Sequence, residues 1–209
     1  MSKFSLASFL VLLVIVTGCT NGISKTINDH NTTPEILNVH NITSDMLVIH
    51  PMYDAMDRGN HDFYNKDVVV DVKYYEKNEI ERGDIIAYKE NPNNEEDLIR
   101  VIGLPGEKVK IEQGQIFING MKLDAFYGRA HRLGLNLEEL KSMIEEGSYG
   151  NLQSKENVEN NIKNFENTNE KEVEVAEGQV YVIGDDWLRT PIKGLLPTKT
   201  IVGKVLGYH

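Results

Sequence analysis

Cys19 is the only cysteine in the 209-residue chain, which excludes an internal disulfide, a zinc cluster or a cysteine nucleophile elsewhere. It follows a leader that has Lys3 near its start and an apolar run at residues 9–16 (FLVLLVIV). The junction VTGC at residues 16–19 resembles a lipobox, in which the thiol is lipidated and the leader is cut just before it. We therefore expect residues 1–18 to be a signal peptide and a lipid on Cys19 to hold the chain at the extracytoplasmic face of a bacterial membrane. An ordinary cleaved leader and an uncleaved anchor are the alternatives.

A short acidic segment contains side chains that can ligate a metal ion, namely Asp54, Asp57, His61 and Asp62. Carboxylates and imidazoles bind divalent cations when their spacing matches a coordination geometry. This spacing fits no established metal motif, and acidic loops of this kind are usually solvated turns. The sequence therefore predicts neither a metal site nor a cofactor.

The charge balance limits the class of partner. Aspartate and glutamate number 32 against 22 lysines and arginines, and the formal net charge is −10. Nucleic-acid binding requires clustered cations, so a nucleic-acid partner is not expected. The predicted membrane contact is made through the lipid on Cys19.

The pattern of apolar residues predicts a mostly β fold over residues 46–209, preceded by a polar tether at residues 19–45. Gln113-Gly114 and Asn119-Gly120 are typical of tight hairpin turns. Runs of β-branched and apolar residues predict strands at residues 46–50, 67–72, 85–88, 98–102, 109–111, 115–118, 173–175, 179–183 and 200–206.

Residues 127–170 are expected to be an insertion with helical and polar parts. Leu137, Leu140 and Ile144 share one helical face, and we expect the helix to end at Gly147. Residues 149–170 are rich in Asn, Glu and Lys, and we expect them to be mobile and only partly helical. Proteolysis is accordingly predicted to begin between residues 147 and 170.

Several segments together resemble the sequence boxes of bacterial type I signal peptidases, and the resemblance covers about residues 55–206. The order and spacing of the segments match, and the insertion falls where that family carries a variable cap. The segments are Arg82-Gly83-Asp84-Ile85-Ile86, Arg100-Val101-Ile102-Gly103-Leu104-Pro105-Gly106-Glu107, Ile116-Phe117-Ile118-Asn119-Gly120, Val180-Tyr181-Val182-Ile183-Gly184-Asp185-Asp186 and Ile201-Val202-Gly203-Lys204-Val205.

The resemblance implies a domain of coiled β-sheets that lies against the outer membrane leaflet. In that family a serine attacks the peptide carbonyl that follows a signal-peptide end, and a lysine with a depressed pKa serves as the general base. The resemblance also implies that signal peptides or other extended peptides are partners. From the residues alone, Gly103, Pro105 and Gly106 form a turn and Arg100 is a structural cation, and these roles require no catalysis.

The catalytic positions depart from the family pattern. The best match to the family's Ser-Met-x-Pro box is the segment DAMDR at residues 54–58, in which Ala55 replaces the serine and Met56 is retained. The base position directly precedes Arg100, and Ile99 occupies it. The segment after Gly184 and Asp185 is shorter than in the family and lacks the serine and arginine elements that support the lysine.

Other residues could replace the missing nucleophile and the missing base. Ser44 is a possible displaced nucleophile, although it precedes the strand that should lead into the site. His50, His61 or Lys89 is a possible substitute base, although none falls at the lysine position. The sequence therefore leaves two functions open: a non-catalytic relative that binds peptides through a sheet edge, and an active serine endopeptidase with displaced catalytic residues.

Overall fold

The computed structural model describes residues 25–29, 32–91 and 94–209. Cys19, its leader and the predicted lipobox lie outside the described residues. Within them, no helix is both long and apolar enough to span a bilayer.

The described residues form twelve strands and two α-helices, which confirms the prediction of a mostly β fold. The helices are α1 (Leu137–Glu146) and α2 (Lys155–Asn167). The strands are β1 (Thr26–Asn28), β2 (Met46–Ile49), β3 (Val68–Asp71), β4 (Ile85–Tyr88), β5 (Asp97–Gly103), β6 (Lys108–Glu112), β7 (Gln115–Ile118), β8 (Met121–Asp124), β9 (Glu170–Glu174), β10 (Gln179–Ile183), β11 (Gly194–Pro197) and β12 (Ile201–Tyr208).

The strands form two sheets. The larger has seven strands in the order β11-β10-β5-β4-β12-β3-β2, and the smaller has five in the order β1-β8-β7-β6-β9. All pairs are antiparallel except β1 with β8. Strand β5 lies inside the large sheet, between β10 and β4. The two edge strands of this sheet are β2 and β11.

The side chains of β5 alternate between the faces of the large sheet, as the period of a strand requires. Leu98 packs in a cluster with Ile49, Met56 and Phe63 on one face. Ile99 packs in a separate cluster with Ile86 and Val182 on the other. Arg100, the next residue, therefore points away from Ile99.

Both predicted hairpin turns are confirmed. Gln113 and Gly114 have φ values of 48° and 73°, and Asn119 and Gly120 have φ values of 51° and 74°. Two successive residues with positive φ form a type I′ turn, which matches the twist of the strands it joins.

The insertion is more ordered than the sequence predicts. Helix α1 begins with a capping box between Asn136 and Glu139 and ends at Gly147 in the left-handed conformation, as expected. Residues 149–170 are partly helical, as expected: Ser154 caps α2, and this helix buries Val158 and Phe165. Their cluster also includes strands β6 and β7, so the insertion packs as part of the main core.

The expectation of a polar tether without regular structure is also corrected for part of its length. Strand β1 pairs with β8, and Leu37 O accepts a hydrogen bond of 2.8 Å from Tyr208 N. We call residues 25–29 and 32–39 the N-terminal strap, because they lie along the domain. Their backbone groups form hydrogen bonds with strands β8 and β12, which are distant in the sequence.

Candidate functional site

The loop between β2 and β3 carries Ala55, at the position where the resemblance requires a nucleophile. The Ala55 side chain is 1% exposed, and its carbonyl oxygen accepts a hydrogen bond of 2.9 Å from Asp186 N. A Cβ on Gly184 would lie 2.5 Å from the same oxygen. The absence of a side chain at Gly184 thus allows the loop to dock on the turn that follows β10.

Ile99 lies in the middle of β5, opposite Ile86 in β4. Strand β10 pairs with the other side of β5, with Ile183 opposite Arg100, so Gly184 follows near the level of Ile99. The structure therefore gathers the Ala55 loop, the Gly184 turn and β5 in one region. Ile99 is fully buried among apolar residues. Neither its side chain nor the methyl group of Ala55 can exchange a proton.

Arginines hold the Ala55 loop in place. Arg189 donates a hydrogen bond to Asp54 and lies 3.5 Å from Asp57 Oδ2. Asp57 is 1% exposed and also accepts hydrogen bonds of 2.8 Å from the backbone amides of Gly59 and His61. An ion-pair cluster thus flanks the position where the family has its serine.

A second ion-pair cluster is centred on Arg100, on the face of β5 opposite Ile99. Arg100 binds Asp185 through two bonds of 2.6 Å and donates to Gly83 O at 2.7 Å. Arg58 Nη1 also donates a hydrogen bond of 3.2 Å to Asp185. The backbone amide of Arg58 donates one of 2.8 Å to the carboxylate of Asp62. Both partners of the Arg100–Asp185 pair are nearly inaccessible to solvent, which strengthens their electrostatic interaction.

The turn after β10 contains groups whose roles the sequence analysis missed. Asp186 is fully buried and accepts a hydrogen bond of 2.6 Å from Arg132. Burial raises the pKa of Asp186, although Arg132 opposes the shift. Thr190 Oγ1 accepts a bond of 2.9 Å from Gly184 N and donates one of 2.7 Å to Ile192 O. The Thr190 hydroxyl is thus occupied by backbone groups of its own turn.

His131 lies beside this turn. Burial lowers the pKa of its imidazole, which favours the neutral form. Its Nδ1 lies 2.9 Å from Arg129 O, an acceptor that requires the proton on Nδ1. Its carbonyl oxygen accepts a hydrogen bond from Trp187 N. His131 thereby joins the insertion to the turn after β10.

The possible displaced groups are exposed to solvent or paired with other side chains. Ser44 is exposed in the turn before β2, at the opposite end of that strand from the Ala55 loop. The His50 imidazole contacts Asp67 and Asn65. The hydrogen bond with Asp67 is the main cause of the raised pKa of this imidazole. Lys89 pairs with Glu96 at 2.8 Å. His61 is the nearest in sequence to Ala55, and its side chain is 70% exposed, 3.8 Å from Asp57.

Arginines or backbone amides engage the carboxylates of the predicted acidic loop. Asp54 contacts Arg189, Asp57 contacts backbone amides, and Asp62 contacts the Arg58 amide. Among the described residues, no group of three or more His, Cys, Asp and Glu side chains is arranged to hold a metal ion.

The remaining box residues have structural contacts. Arg82 binds Glu107 at 2.5 Å and also donates to Ile102 O. Asp84 pairs with Lys204 at 2.6 Å and accepts from the Tyr75 hydroxyl at 2.9 Å. A Cβ on Gly103 would lie 2.5 Å from Val109, and Gly106 adopts a φ of 81° in the turn after Pro105. These residues fix the strands around β5.

The chain is similar to known proteins over most of its length. The family model described as "Signal peptidase, peptidase S26" matches residues 8–208. Signal peptidase IB of Staphylococcus aureus (strain COL) is 30% identical over 143 residues, which are 66% of this chain and 65% of that protein. Signal peptidase I U of Bacillus subtilis (strain 168) is 28% identical over 109 residues, which are 52% of this chain and 45% of that protein.

Among solved structures, a signal peptidase I from Enterococcus faecalis V583 aligns with a TM-score of 0.37 and 24% identity, covering 61% of this chain and 97% of that one. The chain thus spans about two thirds or less of the curated relatives' lengths. The family match extends through both sheets, the Ala55 loop and the turn after β10. This chain therefore belongs to the signal peptidase family, peptidase S26.

Proposed function

We propose that this chain is an extracytoplasmic lipoprotein that keeps the signal peptidase scaffold, lacks the Ser/Lys dyad and binds extended peptides without cleaving them. One observation supports the proposal: Ala55 and Ile99, which the sequence resemblance aligns with the two dyad positions, are both buried. Peptide hydrolysis by this chemistry requires a nucleophile and a base, and a methyl and an alkyl group supply neither. The Arg189 contacts with Asp54 and Asp57 further support a closed, structural loop.

The free edge of β2 supports peptide binding. This strand ends the seven-stranded sheet and leads directly into the Ala55 loop. Leu47 and Val48 are each 39% exposed on it, and Met52 and Tyr53 are exposed just beyond it. An extended peptide can add to such an edge through main-chain hydrogen bonds, while exposed apolar side chains contact its residues. Signal peptides are the ligand class that the names of the relatives favour.

Binding and cleavage can be measured together with a fluorescent signal peptide and the full-length protein in nonionic detergent. We expect saturable binding by fluorescence anisotropy and an intact peptide by mass spectrometry. Leu47→Lys should weaken binding, because it introduces a charge at the β2 edge. Leu195→Lys is the matched control, since Leu195 is equally exposed at the other edge, on β11. Absence of binding, or equal loss in both variants, would contradict the β2 edge as the binding site.

The relatives' names also favour a second candidate, a serine endopeptidase with displaced catalytic residues. Ser44 is the hydroxyl considered for that role, but it lies in an exposed turn at the far end of β2 from the Ala55 loop. Cleavage that is lost in Ser44→Ala would favour this candidate over the first.

A further inference from the structure

A groove of about 730 Å³ lies on the face of the large sheet opposite Ile99. The N-terminal strap forms one wall with Pro34 and Ile36, and Asp185, the partner of Arg100, contributes to the lining. Arg100 and Ile99 are successive residues of β5 and therefore point to opposite faces. The groove is thus distinct from the dyad positions, and its volume is typical of small-molecule sites.

The carboxylates that line the groove already have partners. Asp185 is bound by Arg100 and Arg58. Asp62 accepts a hydrogen bond from the Arg58 amide. Glu139 accepts a bond of 2.8 Å from Asn136 N in the capping box of α1. Asp185 is thus neutralised by two arginines, and Asp62 also lies 3.9 Å from Arg58 Nη2. The partner of Glu139 is a neutral amide, so its charge remains.

Two cations of the groove lack a close counterion. Lys66 Nζ lies 3.4 Å from the Tyr208 hydroxyl and 4.8 Å from its ring centroid, and no carboxylate of the described residues lies within 4.0 Å of it. Arg129 reaches Asp124 and Glu138 only at 4.0 and 3.9 Å, and both of these carboxylates are largely exposed. Such contacts contribute little. Cations without a counterion at hydrogen-bonding distance are notable in this groove, because the whole chain has a net charge of −10.

The other walls of the groove are apolar or aromatic. Ile36, Phe126, Tyr127 and Tyr208 line it together with the cations. The guanidinium of Arg58 lies 5.5 Å from the Phe126 centroid, so this lining ring has a cation–π contact. Apolar walls with a few polar groups are the usual composition of sites that bind small molecules.

We propose that this groove binds an anionic ligand in which one carboxylate or phosphate is attached to an apolar group. The anion pairs with Lys66, and Arg129 adds attraction from the same groove. The apolar part packs against Phe126, Tyr208 and Ile36. This binding is independent of whether the chain cleaves or binds peptides.

The test is a ligand-observed NMR titration of the full-length protein in nonionic detergent with small aromatic probes. 3-Phenylpropionate should bind about tenfold more tightly than 3-phenylpropanol, because a charge-assisted hydrogen bond adds to the same apolar contact. Phenyl phosphate, compared with 3-phenylpropionate, tells which anion the groove prefers. Inorganic phosphate alone should bind more weakly than phenyl phosphate. Equal affinity for 3-phenylpropionate and 3-phenylpropanol, or no binding of any probe, would overturn the proposal.

Variants locate the binding. Lys66→Gln should remove the preference for the anion, and Lys66→Arg should keep most of it, while Arg129→Gln should have a smaller effect than Lys66→Gln. Lys163→Gln is the control, because Lys163 is exposed on α2 and does not line the groove. Unchanged affinity in Lys66→Gln, with a Tm equal to that of the wild type, would show that the anion binds elsewhere.

Discussion

Arg100 and Asp185 join β5 to the turn after β10 through a two-bond ion pair, with Nε to Oδ1 and Nη2 to Oδ2 both at 2.6 Å. The side chains are only 2% and 3% exposed. The pair crosses between segments far apart in sequence and positions the turn that receives the Ala55 carbonyl. It therefore fixes the turn on which the Ala55 loop docks.

Removal of one partner of this pair should be costly. Asp185→Asn leaves Arg100 and Arg58 without a full counter-charge in a buried position. We expect a loss of about 3–5 kcal/mol in the free energy of unfolding, measured with urea. Lys141→Gln is the control, since its pair with Glu166 is exposed, and it should cost less than about 1 kcal/mol. Similar losses in both variants would mean that the buried pair does not stabilise the fold.

Helix α2 should contribute to global stability. Phe165→Ala removes a ring that is 1% exposed and lies in the core cluster shared with β6 and β7, and we expect a loss of about 3–5 kcal/mol in urea unfolding. Lys163→Ala, at an exposed position of the same helix, should stay within about 0.5 kcal/mol of the wild type. Limited proteolysis should spare residues 155–167 in the wild type and cut them in Phe165→Ala. Early cuts there in the wild type would contradict the packing described.

The comparison of α2 with the strands shows which elements can be predicted from the sequence. Strands such as β4 and β10 were predictable because their β-branched runs are local signals. The bounds of helix α2 were not predicted because Asn, Glu and Lys dominate it, and the role of Val158 and Phe165 becomes visible only against the core. Strand β1 was missed because its three residues are stabilised by β8, which no local pattern reveals.

The candidate site also has features that the sequence predicts and features that it does not. The sequence locates Ala55 and Ile99 through their neighbouring motif residues. It does not reveal the pairing of Arg189 with Asp54, or of Arg132 with Asp186, because each pair joins segments distant in the chain. An isolated arginine in a loop carries no local signal of its partner.

The stability of the domain should depend on the protonation of His131. Burial lowers the pKa of this imidazole in the folded state, whereas the unfolded chain binds a proton near pH 6.5. The unfolded state therefore binds more protons as the pH falls through 6.5, and stability is lost in that direction. His131→Gln should lose less stability between pH 7.5 and 5.5 than the wild type, measured by urea unfolding. His61→Gln, at an exposed position, is the control, and an equal pH dependence in wild type and His131→Gln would contradict this role.

The proposed lipid on Cys19 can be tested by membrane fractionation. Cys19→Ala removes the thiol to which the lipid would be attached, so the protein should leave the membrane fraction or retain its leader. Metabolic labelling with a radioactive fatty acid should mark the wild type and fail to mark Cys19→Ala. Thr20→Ala, at the next position, is the control and should remain labelled. An unlabelled, soluble wild type would contradict lipidation.

Restoration of the dyad tests the reading of both positions. Ala55→Ser with Ile99→Lys reintroduces a nucleophile and a base, and we expect weak cleavage of a signal-peptide substrate at best. Activity stays low because Thr190 is engaged by Gly184 and Ile192 and no serine and arginine elements support the new lysine. Each single variant should be inactive, since the two groups act as a unit. A fully active double variant would show that the turn after β10 needs no such elements.

The most direct test of the account is the incubation of the full-length wild-type protein with a signal-peptide substrate, beside an active signal peptidase, with products identified by mass spectrometry. We expect cleavage by the active enzyme and none by this chain, because Ala55 and Ile99 would leave the site without a nucleophile and a base. Turnover by the wild type similar to that of the active enzyme, and persisting in Ser44→Ala, would contradict the central claim and assign the catalytic groups to other residues.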